Sequence, residues 1–285
     1  MLSFGVSTWL WTSPFRTETV TMLPKIKEMG FDAVEIPVEY PELIDGKEVK
    51  KALEDLELHP VVCAAFGPER DLTHSDPQVH EYCLKYIAAC LEISNELGSS
   101  MVAGPMYAAT GKARMLSPEA RAEEWKLAVA NLHRAALLAE KAGQQLALEP
   151  LNRFETDLVN STVDMARLIQ DIDHPAAKVM LDSYHLCLEE RNLTEAIQQV
   201  GKHVIHIQVS ENYRGTPGTG LTPWEDFRAG LRAIDYDGVI SIESFTPEIK
   251  ELAGAVCFWK PMAESQDAFA TEGLAFLQQL FSSYP

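Results

Sequence analysis

The feature that most constrains this chain of 285 residues is an alternation of short apolar runs with amphipathic stretches. Each run has the length of a β-strand and the Val, Ile and Leu content typical of strands buried on both faces, as in parallel sheets. The predicted strands are Phe4–Thr8, Ala33–Val38, Pro60–Phe66, Met101–Met106, Leu146–Pro150, Lys178–Ser183, Val204–Ser210 and Val239–Phe245.

Segments with helical periodicity lie between these runs and after the last one. Several begin at a capping residue followed by proline, as at Asp76-Pro77 and Ser117-Pro118, and others end at glycine, as at Gly98. The predicted helices are Glu18–Met29, Glu48–Leu56, Pro77–Leu97, Pro118–Ala142, Thr162–Ile172, Leu193–Val200, Trp224–Ile234 and Asp267–Phe281.

Eight strand–helix units of about 36 residues each predict an α/β fold of the (β/α)8 type, the TIM barrel. A doubly wound open sheet is the alternative, but it normally carries a glycine-rich loop after its first strand, and residues 9–14 contain no glycine. No linker or change in composition divides the sequence. We therefore expect a single barrel domain over residues 1–285.

Composition excludes several classes of protein. The chain has 42 Asp and Glu against 24 Lys and Arg, a formal net charge of −18, which disfavours nucleic acid and anionic membranes as partners. No apolar run approaches the roughly 20 residues that span a bilayer, and the N-terminus lacks the basic segment of a signal peptide. Five scattered cysteines without Cys-x-x-Cys spacing predict neither disulfides nor structural zinc, so a reducing cytoplasm is the expected location.

Four polar residues stand at the ends of the last four predicted strands: Glu149, Asp182, Gln208 and Glu243. Their separations of 33, 26 and 35 residues are each close to one strand–helix unit, so we expect the side chains to converge at the mouth of the barrel. Three converging carboxylates repel one another unless a cation lies between them, and oxygen ligands suit Mg²⁺ or Mn²⁺. The alternative is that these residues only cap the helices that follow.

Three motifs follow the last predicted strands: Glu149-Pro-Leu-Asn-Arg-Phe-Glu155, Met180-Leu-Asp-Ser-Tyr-His185 and Glu211-Asn-Tyr-Arg-Gly-Thr-Pro-Gly-Thr-Gly220. They resemble motifs of the D-tagatose 3-epimerase (D-psicose 3-epimerase) family, within the xylose-isomerase-like barrels. The similarity extends over essentially the whole chain, and together the motifs are specific for the superfamily but much less so for the substrate.

This resemblance implies a divalent metal, usually Mn²⁺, with Mg²⁺ or Co²⁺ as alternatives. Glu149, Asp182 and Glu243 correspond to three of its four ligands. At the fourth, ketose 3-epimerases normally have histidine, whereas this chain has Gln208. Hydroxypyruvate isomerase, from a sister family, also has glutamine there. The expected metal site is therefore retained, while the assignment to 3-epimerases is weakened.

The same resemblance implies the substrate-binding residues. Glu155, His185 and Arg214 correspond to residues that hold substrate hydroxyls and the carbonyl oxygen. His206, two residues before Gln208, is a further substrate-binding candidate, although a hydrogen-bonded histidine lining the barrel is an equal alternative.

These residues predict a metal-dependent isomerase that epimerises C3 of an unphosphorylated ketose through a metal-stabilised enediolate. Glu149 and Glu243 are the expected catalytic pair, exchanging the roles of base and acid on opposite faces of the substrate. The alternatives are an aldose–ketose isomerase of the hydroxypyruvate isomerase type and an enzyme acting on inososes or other keto sugars.

Outside that class, a non-catalytic sugar-binding barrel is possible on the same residues. Endonuclease-IV-type hydrolysis is disfavoured because it needs several zinc ions and a histidine-rich site. The expected partner is a small sugar substrate, and the family resemblance implies a homodimer or homotetramer.

Further residues near strand ends have a structural and a functional interpretation. Trp9, Trp11 and Phe66 could line a sugar pocket, but core packing is favoured. Glu35 and Glu39 flank the end of the second strand, where a solvated or capping role is favoured over substrate contact.

Three residues after the fourth strand, Met106, Tyr107 and Lys112, lie where a substrate loop is expected. The default interpretation of Lys112 is a lone surface lysine, which favours unphosphorylated sugars. Cys187 is interpreted as a small buried thiol rather than a nucleophile.

Overall fold

A computed structural model of the chain describes residues 2–284 and contains eight parallel strands in that range. Short runs of branched and other apolar residues form them, as the sequence predicts. The strands are β1 (Ser3–Ser7), β2 (Ala33–Val38), β3 (His59–Ala64), β4 (Met101–Gly104), β5 (Gln145–Leu148), β6 (Ala177–Asp182), β7 (Val204–Val209) and β8 (Val239–Ile242).

Ten α-helices surround the strands within the same described residues. Most begin at a side-chain cap, for example Asp76 accepting from the Gln78 amide and Ser117 from the Ala120 amide. The helices are α1 (Leu23–Glu28), α2 (Gly46–Asp55), α3 (Pro77–Leu97), α4 (Pro118–Lys141), α5 (Thr162–Ile172), α6 (Ser183–Glu189), α7 (Leu193–Val200), α8 (Trp224–Ala233), α9 (Lys250–Ala255) and α10 (Gln266–Leu280).

The sheet closes on itself because β1 pairs with both β2 and β8. This closed eight-stranded barrel with a ring of helices confirms the predicted TIM-barrel fold. One large apolar core lies between strands and helices. A smaller cluster comes from the middle strands β3 to β6 and consists of Val61, Cys63, Ala103, Ala147 and Met180.

Apart from shifts of one to three residues at the ends of elements, the helices depart from the prediction in three places. The segment predicted as one helix, Glu18–Met29, is a 3-10 helix over Thr17–Met22 followed by α1, which begins beside Pro24, a residue that fits a first helical turn. The short helix α6 directly after β6 was not predicted. Neither was α9, in a segment without clear helical periodicity.

Two further predictions concern disulfides and membrane-spanning helices. All five cysteines are free, as their spacing predicts. Among residues 2–284, no helix combines the length and apolar character needed to cross a membrane.

Candidate active site

The four predicted strand-end residues meet at the carboxyl ends of β5 to β8. Asp182 and Gln208 face each other in the register of β6 and β7, while Glu149 and Glu243 directly follow β5 and β8. All four are buried, with 5% or less of each residue exposed. Glu149, Asp182, Gln208 and Glu243 are called the mouth cluster below.

Arg214 is the cation that lies among these side chains. Its Nη1 donates to Asp182 Oδ2 at 2.5 Å and to Glu243 Oε2 at 2.8 Å. The residue is 8% exposed and has a φ of 63°, a left-handed conformation that is uncommon outside glycine and is often found at functional sites. Two of the three buried carboxylates thus share one guanidinium, and Glu149 has no hydrogen bond to it.

The pKa values of the three mouth carboxyl groups are all raised, as expected for buried acids with too few cations beside them. Burial, reinforced by the charges of Glu243 and Asp182, raises the pKa of Glu149 well above its ordinary value. Burial also raises the pKa of Asp182 and raises that of Glu243 to about 8, although the charge of Arg214 opposes both shifts. These groups hold protons more tightly than carboxyls in water do.

His185, on α6, presents one N–H to the same space. The backbone N–H of Asn152 donates to His185 Nδ1 at 3.0 Å, so the proton of the neutral ring lies on Nε2. Burial and the charge of Arg214 hold the pKa of His185 well below its ordinary value, which keeps the ring neutral. His185 Nε2 lies 3.1 Å from Arg214 Nη2, and with the proton on Nε2 this is a contact between two donors rather than a hydrogen bond. An oxygen atom beside both nitrogens could accept from both.

Glu155 acts on His185 through Asn152. The Asn152 side-chain amide donates to Glu155 Oε1 at 2.8 Å and lies 2.9 Å from His185 Nδ1. Burial raises the pKa of Glu155 despite the nearby charge of Arg214. The sequence motif contains Asn152, but its contact with His185 was not predicted, because the bond joins the loop after β5 to the helix after β6.

The loop that carries Arg214 is held by Glu211, another residue with no predicted role. The fully buried Glu211 carboxylate accepts from the Gly218 amide at 2.8 Å, from Trp224 Nε1 at 2.7 Å and from the Thr222 amide at 3.1 Å. These hydrogen bonds fix the path of the loop between β7 and α8 and so position Arg214.

Gln208 contacts the carboxylate of Glu35, a residue predicted to be solvated or to cap a helix. Glu35 is fully buried, accepts from Gln208 Nε2 at 2.5 Å and lies 2.8 Å from His206 Nε2. The solvated or capping role predicted for Glu35 is therefore wrong. The structure places His206 in the barrel interior against Glu35, and its substrate-binding role stays a prediction.

The donor atoms at the mouth fit a hard divalent cation. Glu149, Asp182 and His185 place potential ligand atoms within 4.8 Å of one another, but the proton on His185 Nε2 makes the ring a poor ligand. Gln208 Oε1 suits the role better, since it is buried and has no hydrogen-bond partner within residues 2–284. The mouth cluster therefore offers carboxylate and amide oxygens, the donors that Mg²⁺ and Mn²⁺ prefer.

A second group of charges lies at the edge of the mouth and contradicts the prediction for Lys112. Lys112 Nζ lies 2.7 Å from Asp71 Oδ2 and 3.3 Å from Glu124, with only 14% of its side chain exposed, so it is not a lone surface lysine. Arg114 bonds Glu124 at 2.7 Å and Asp157 at 2.9 Å. Asp71, Lys112, Arg114, Glu124 and Asp157 are called the rim cluster below.

Most of the aromatic candidates are packed against other side chains, which favours their structural interpretation. Phe66 is in the core, and Tyr107 is fully buried, with its hydroxyl donating to the Val159 carbonyl at 3.3 Å. Trp9 packs on Phe245 with ring centroids 5.8 Å apart, and its Nε1 donates to Glu39 at 2.8 Å.

Four other candidates also have a structural interpretation. Met106 is fully buried, and Trp11 Nε1 donates to Asp267 at 2.8 Å. Cys187 is half-buried, less than the predicted buried thiol, and its partial burial raises its pKa to about 11, which argues against a nucleophile. Glu39 accepts from Ser13 and from the Phe15 amide, so it anchors the loop after β1 rather than facing solvent.

The barrel and the mouth cluster define a TIM-barrel protein whose site lies at the carboxyl ends of its strands. A model of the xylose isomerase-like TIM barrel family matches residues 23–280, and the chain belongs to this family. The chain is 29% identical over 285 residues to the probable ketose 3-epimerase of Synechocystis sp., covering 99% of this chain and 98% of the relative.

Two other proteins show the range of these relatives. The 3-dehydro-D-guloside 4-epimerase of Escherichia coli is 30% identical over 228 residues, covering 76% of this chain and 84% of the relative. The crystal structure of D-allulose 3-epimerase from Methylomonas sp. in complex with D-allulose matches with a TM-score of 0.90 and 28% identity, covering 98% of this chain and 96% of that one. These relatives are epimerases, and the prediction that the chain is an isomerase is confirmed.

Proposed function

We propose that the chain is a metal-dependent epimerase that inverts C3 of an unphosphorylated ketose. The observation that carries the proposal is the pair of donors on His185 and Arg214 facing one space beside the buried carboxyls of Glu149 and Glu243. Inverting a carbon next to a carbonyl requires donors for the oxygen that gains charge and two groups that exchange a proton with carbon. The names of the relatives support the same reaction.

The mouth cluster is the proposed site of a divalent cation, with Mn²⁺ as the preferred metal by family resemblance and Mg²⁺ or Co²⁺ as alternatives. When bound, such a cation supplies a Lewis acid that stabilises negative charge on the carbonyl and neighbouring hydroxyl oxygens of the sugar. Glu149, Asp182, Gln208 and Glu243 would hold it through oxygen atoms.

Glu149 and Glu243 are the proposed acid–base pair. They follow β5 and β8, which are separated by two strands around the barrel, so their carboxyl groups approach a substrate from different sides. Their raised pKa values allow one group to carry a proton near neutral pH while the other accepts one. One carboxylate removes the C3 proton, and the other returns a proton to the opposite face.

The surrounding residues hold the substrate and the donors in place. His185 Nε2–H and the Arg214 guanidinium donate to the substrate oxygen on which negative charge develops. Asn152 fixes the proton of His185 on Nε2, and Glu155 holds Asn152. Glu155 is thus proposed to orient His185 indirectly.

The rim cluster supports an unphosphorylated substrate. Lys112 already bonds Asp71 and Thr73, the latter at 2.5 Å, and Arg114 bonds two carboxylates. A phosphate at this edge would have to displace those carboxylates, so neither cation favours a phosphorylated sugar.

One observation favours a second candidate, aldose–ketose isomerisation of the hydroxypyruvate isomerase type or the processing of another keto sugar. That observation is Gln208 in place of the histidine expected of ketose 3-epimerases. The same acid–base pair would then move a proton between C1 and C2 rather than across C3.

Solvent isotope exchange distinguishes these candidates. Metal-stripped protein, with or without Mn²⁺, is incubated in D₂O with D-fructose, D-tagatose, L-ribulose and hydroxypyruvate, and the products are read by proton NMR. The proposal predicts Mn²⁺-dependent deuterium at C3 together with the C3 epimer. Deuterium at C1 or C2 would favour the isomerase, and metal binding without exchange on any keto sugar would favour a non-catalytic sugar-binding barrel.

A further inference from the structure

Glu35 lies inside the barrel and contacts two residues of a distant strand. It is on β2, whereas Gln208 and His206 are on β7, with β1 and β8 between them in the sheet. The hydrogen bonds between the Glu35 carboxylate and these two side chains must therefore cross the interior of the barrel. All three residues are 1% exposed or less.

The chemistry of this contact determines which way the Gln208 amide points. An ionised carboxylate only accepts hydrogen bonds, whereas an amide has a donating nitrogen and an accepting oxygen of nearly the same shape. Glu35 Oε1 takes Gln208 Nε2 at 2.5 Å, which leaves Gln208 Oε1 directed away from Glu35 without a hydrogen-bond partner in the described chain. His206 Nε2, at 2.8 Å from Glu35 Oε2, holds the other oxygen and resists rotation of the carboxylate.

We propose that Glu35 is a positioning residue that fixes the Gln208 amide with its oxygen toward the metal site. The inference rests on the proposed metal site, to which Glu35 itself contributes no ligand atom. A glutamine ligand is useful only in one of its two orientations, and Glu35 selects that orientation. The complete burial of Glu35 among polar partners, which a merely solvated or capping residue would not need, is explained by this role.

Replacing the carboxylate by an amide should reverse the orientation. In the Glu35→Gln variant, His206 Nε2–H favours the new amide oxygen, so the new amide nitrogen faces Gln208. Gln208 then satisfies that nitrogen with its own oxygen and turns its N–H groups toward the cation. The site loses a ligand although no ligand residue is changed.

The test measures Mn²⁺ binding to metal-stripped protein by the loss of the EPR signal of free Mn²⁺, which needs neither substrate nor turnover. We expect Glu35→Gln to weaken Mn²⁺ binding about 10- to 100-fold. Glu39→Gln is the matched control, because Glu39 follows the same strand but bonds the loop after β1. It should leave Mn²⁺ affinity unchanged.

A rescue variant separates positioning from damage to the fold. Glu35→Gln combined with Gln208→Glu exchanges the carboxylate and the amide while keeping the hydrogen bond and the net charge. A carboxylate at position 208 has no wrong orientation, since either oxygen serves as ligand, so the double variant should recover most of the lost Mn²⁺ affinity. Thermal melting of each metal-free variant checks that it is folded.

The outcomes distinguish this inference from the proposed function. If wild-type protein binds Mn²⁺ and Glu35→Gln binds it equally well, Glu35 does not position Gln208. Failure of the double variant to recover affinity also overturns the inference, because a structural defect would then explain the single variant. If wild-type protein itself does not bind Mn²⁺, the proposed metal site fails and the role of Glu35 fails with it.

Discussion

The mouth cluster and the rim cluster each contain three carboxylates, but they differ in how many cations lie beside them. At the rim, Asp71, Glu124 and Asp157 share two cations, Lys112 and Arg114. At the mouth, three more deeply buried carboxylates have Arg214 as the one nearby cation, and it pairs with Asp182 and Glu243. The rim is close to electrically balanced within itself, whereas the mouth is not.

The pKa of Asp71 at the rim and those of the mouth carboxyls shift in opposite directions for this reason. Burial alone would raise the pKa of Asp71, but hydrogen bonds from Lys112 and Thr73 outweigh it and the pKa is lowered. At the mouth, burial prevails over Arg214 and the pKa of Glu243 rises to about 8. We therefore expect the rim cluster to contribute to stability, whereas the uncompensated carboxyls of the mouth cluster support the proposed binding of a cation and proton transfer there.

The largest predicted difference is catalytic. Glu243→Gln removes one of the two proposed proton-transfer groups and should lower kcat for C3 exchange about 10²- to 10⁴-fold. Glu124→Gln removes a carboxylate from the rim and should leave kcat within a few-fold of wild type. Both values come from the D₂O exchange assay at saturating substrate. Near-normal turnover of Glu243→Gln would rule out the two-carboxylate mechanism.

Metal binding should stabilise only proteins with an intact mouth. At 100 times its Kd, Mn²⁺ should raise the free energy of unfolding by about 2.7 kcal/mol in the wild type. The rim variant Asp71→Asn should show the same increment, and Asp182→Asn at the mouth should lose most of it. Urea unfolding with Mn²⁺ or with EDTA measures the increment, and an equal gain in Asp182→Asn would place the metal elsewhere.

Breaking the rim should cost stability rather than activity. Asp71→Asn leaves Lys112 partly buried with a weakened partner, and we expect a loss of about 2 kcal/mol in the free energy of unfolding, typical of a charged hydrogen bond. The exposed pair Arg134–Glu81 provides the control, since Glu81→Gln should change stability by less than about 1 kcal/mol. A similar small change in Asp71→Asn would show that the rim is no more than a surface ion pair.

The two clusters also differ in how far sequence predicts them. Glu149, Asp182, Gln208 and Glu243 are predictable because the strand–helix repeat sets where each strand ends, and strand ends meet at the mouth. Lys112 lies in the loop after β4, and its acidic partners come from the loop after β3 and from α4, so local sequence gives no indication of its ion pairs. The prediction that Lys112 is a surface lysine rests only on the usual exposure of lysine, and it is wrong.

The prediction for Glu35 is wrong for a different reason, because the sequence does contain an indication that this residue is unusual. An acidic residue in the middle of Ala33–Val38, a strand buried on both faces, needs a partner inside the barrel. Which residue provides that partner depends on closure of the barrel, which brings β7 opposite β2. Sequence spacing therefore shows that Glu35 is unusual but not that it holds Gln208.

The last comparison concerns pH and separates the two clusters without substrate or metal. Glu243 has a folded-state pKa of about 8, above its unfolded value of about 4.3, so its contribution to stability is complete below the unfolded value and is lost as pH rises toward 8. Asp71, with a lowered pKa, contributes fully at neutral pH and loses its contribution only in acid.

In EDTA, the free energy of unfolding should therefore fall between pH 5.5 and 7.5, by at most about 1.4 kcal/mol per pH unit for this one group. Urea unfolding at pH 5.5, 6.5 and 7.5 measures the slope. Glu243→Gln should flatten the slope, and Asp71→Asn should retain it at a lower overall stability. Parallel curves for wild type and Glu243→Gln would mean that Glu243 is ionised in the metal-free protein, and the contrast between the two clusters would then rest on Glu149 and Asp182 alone.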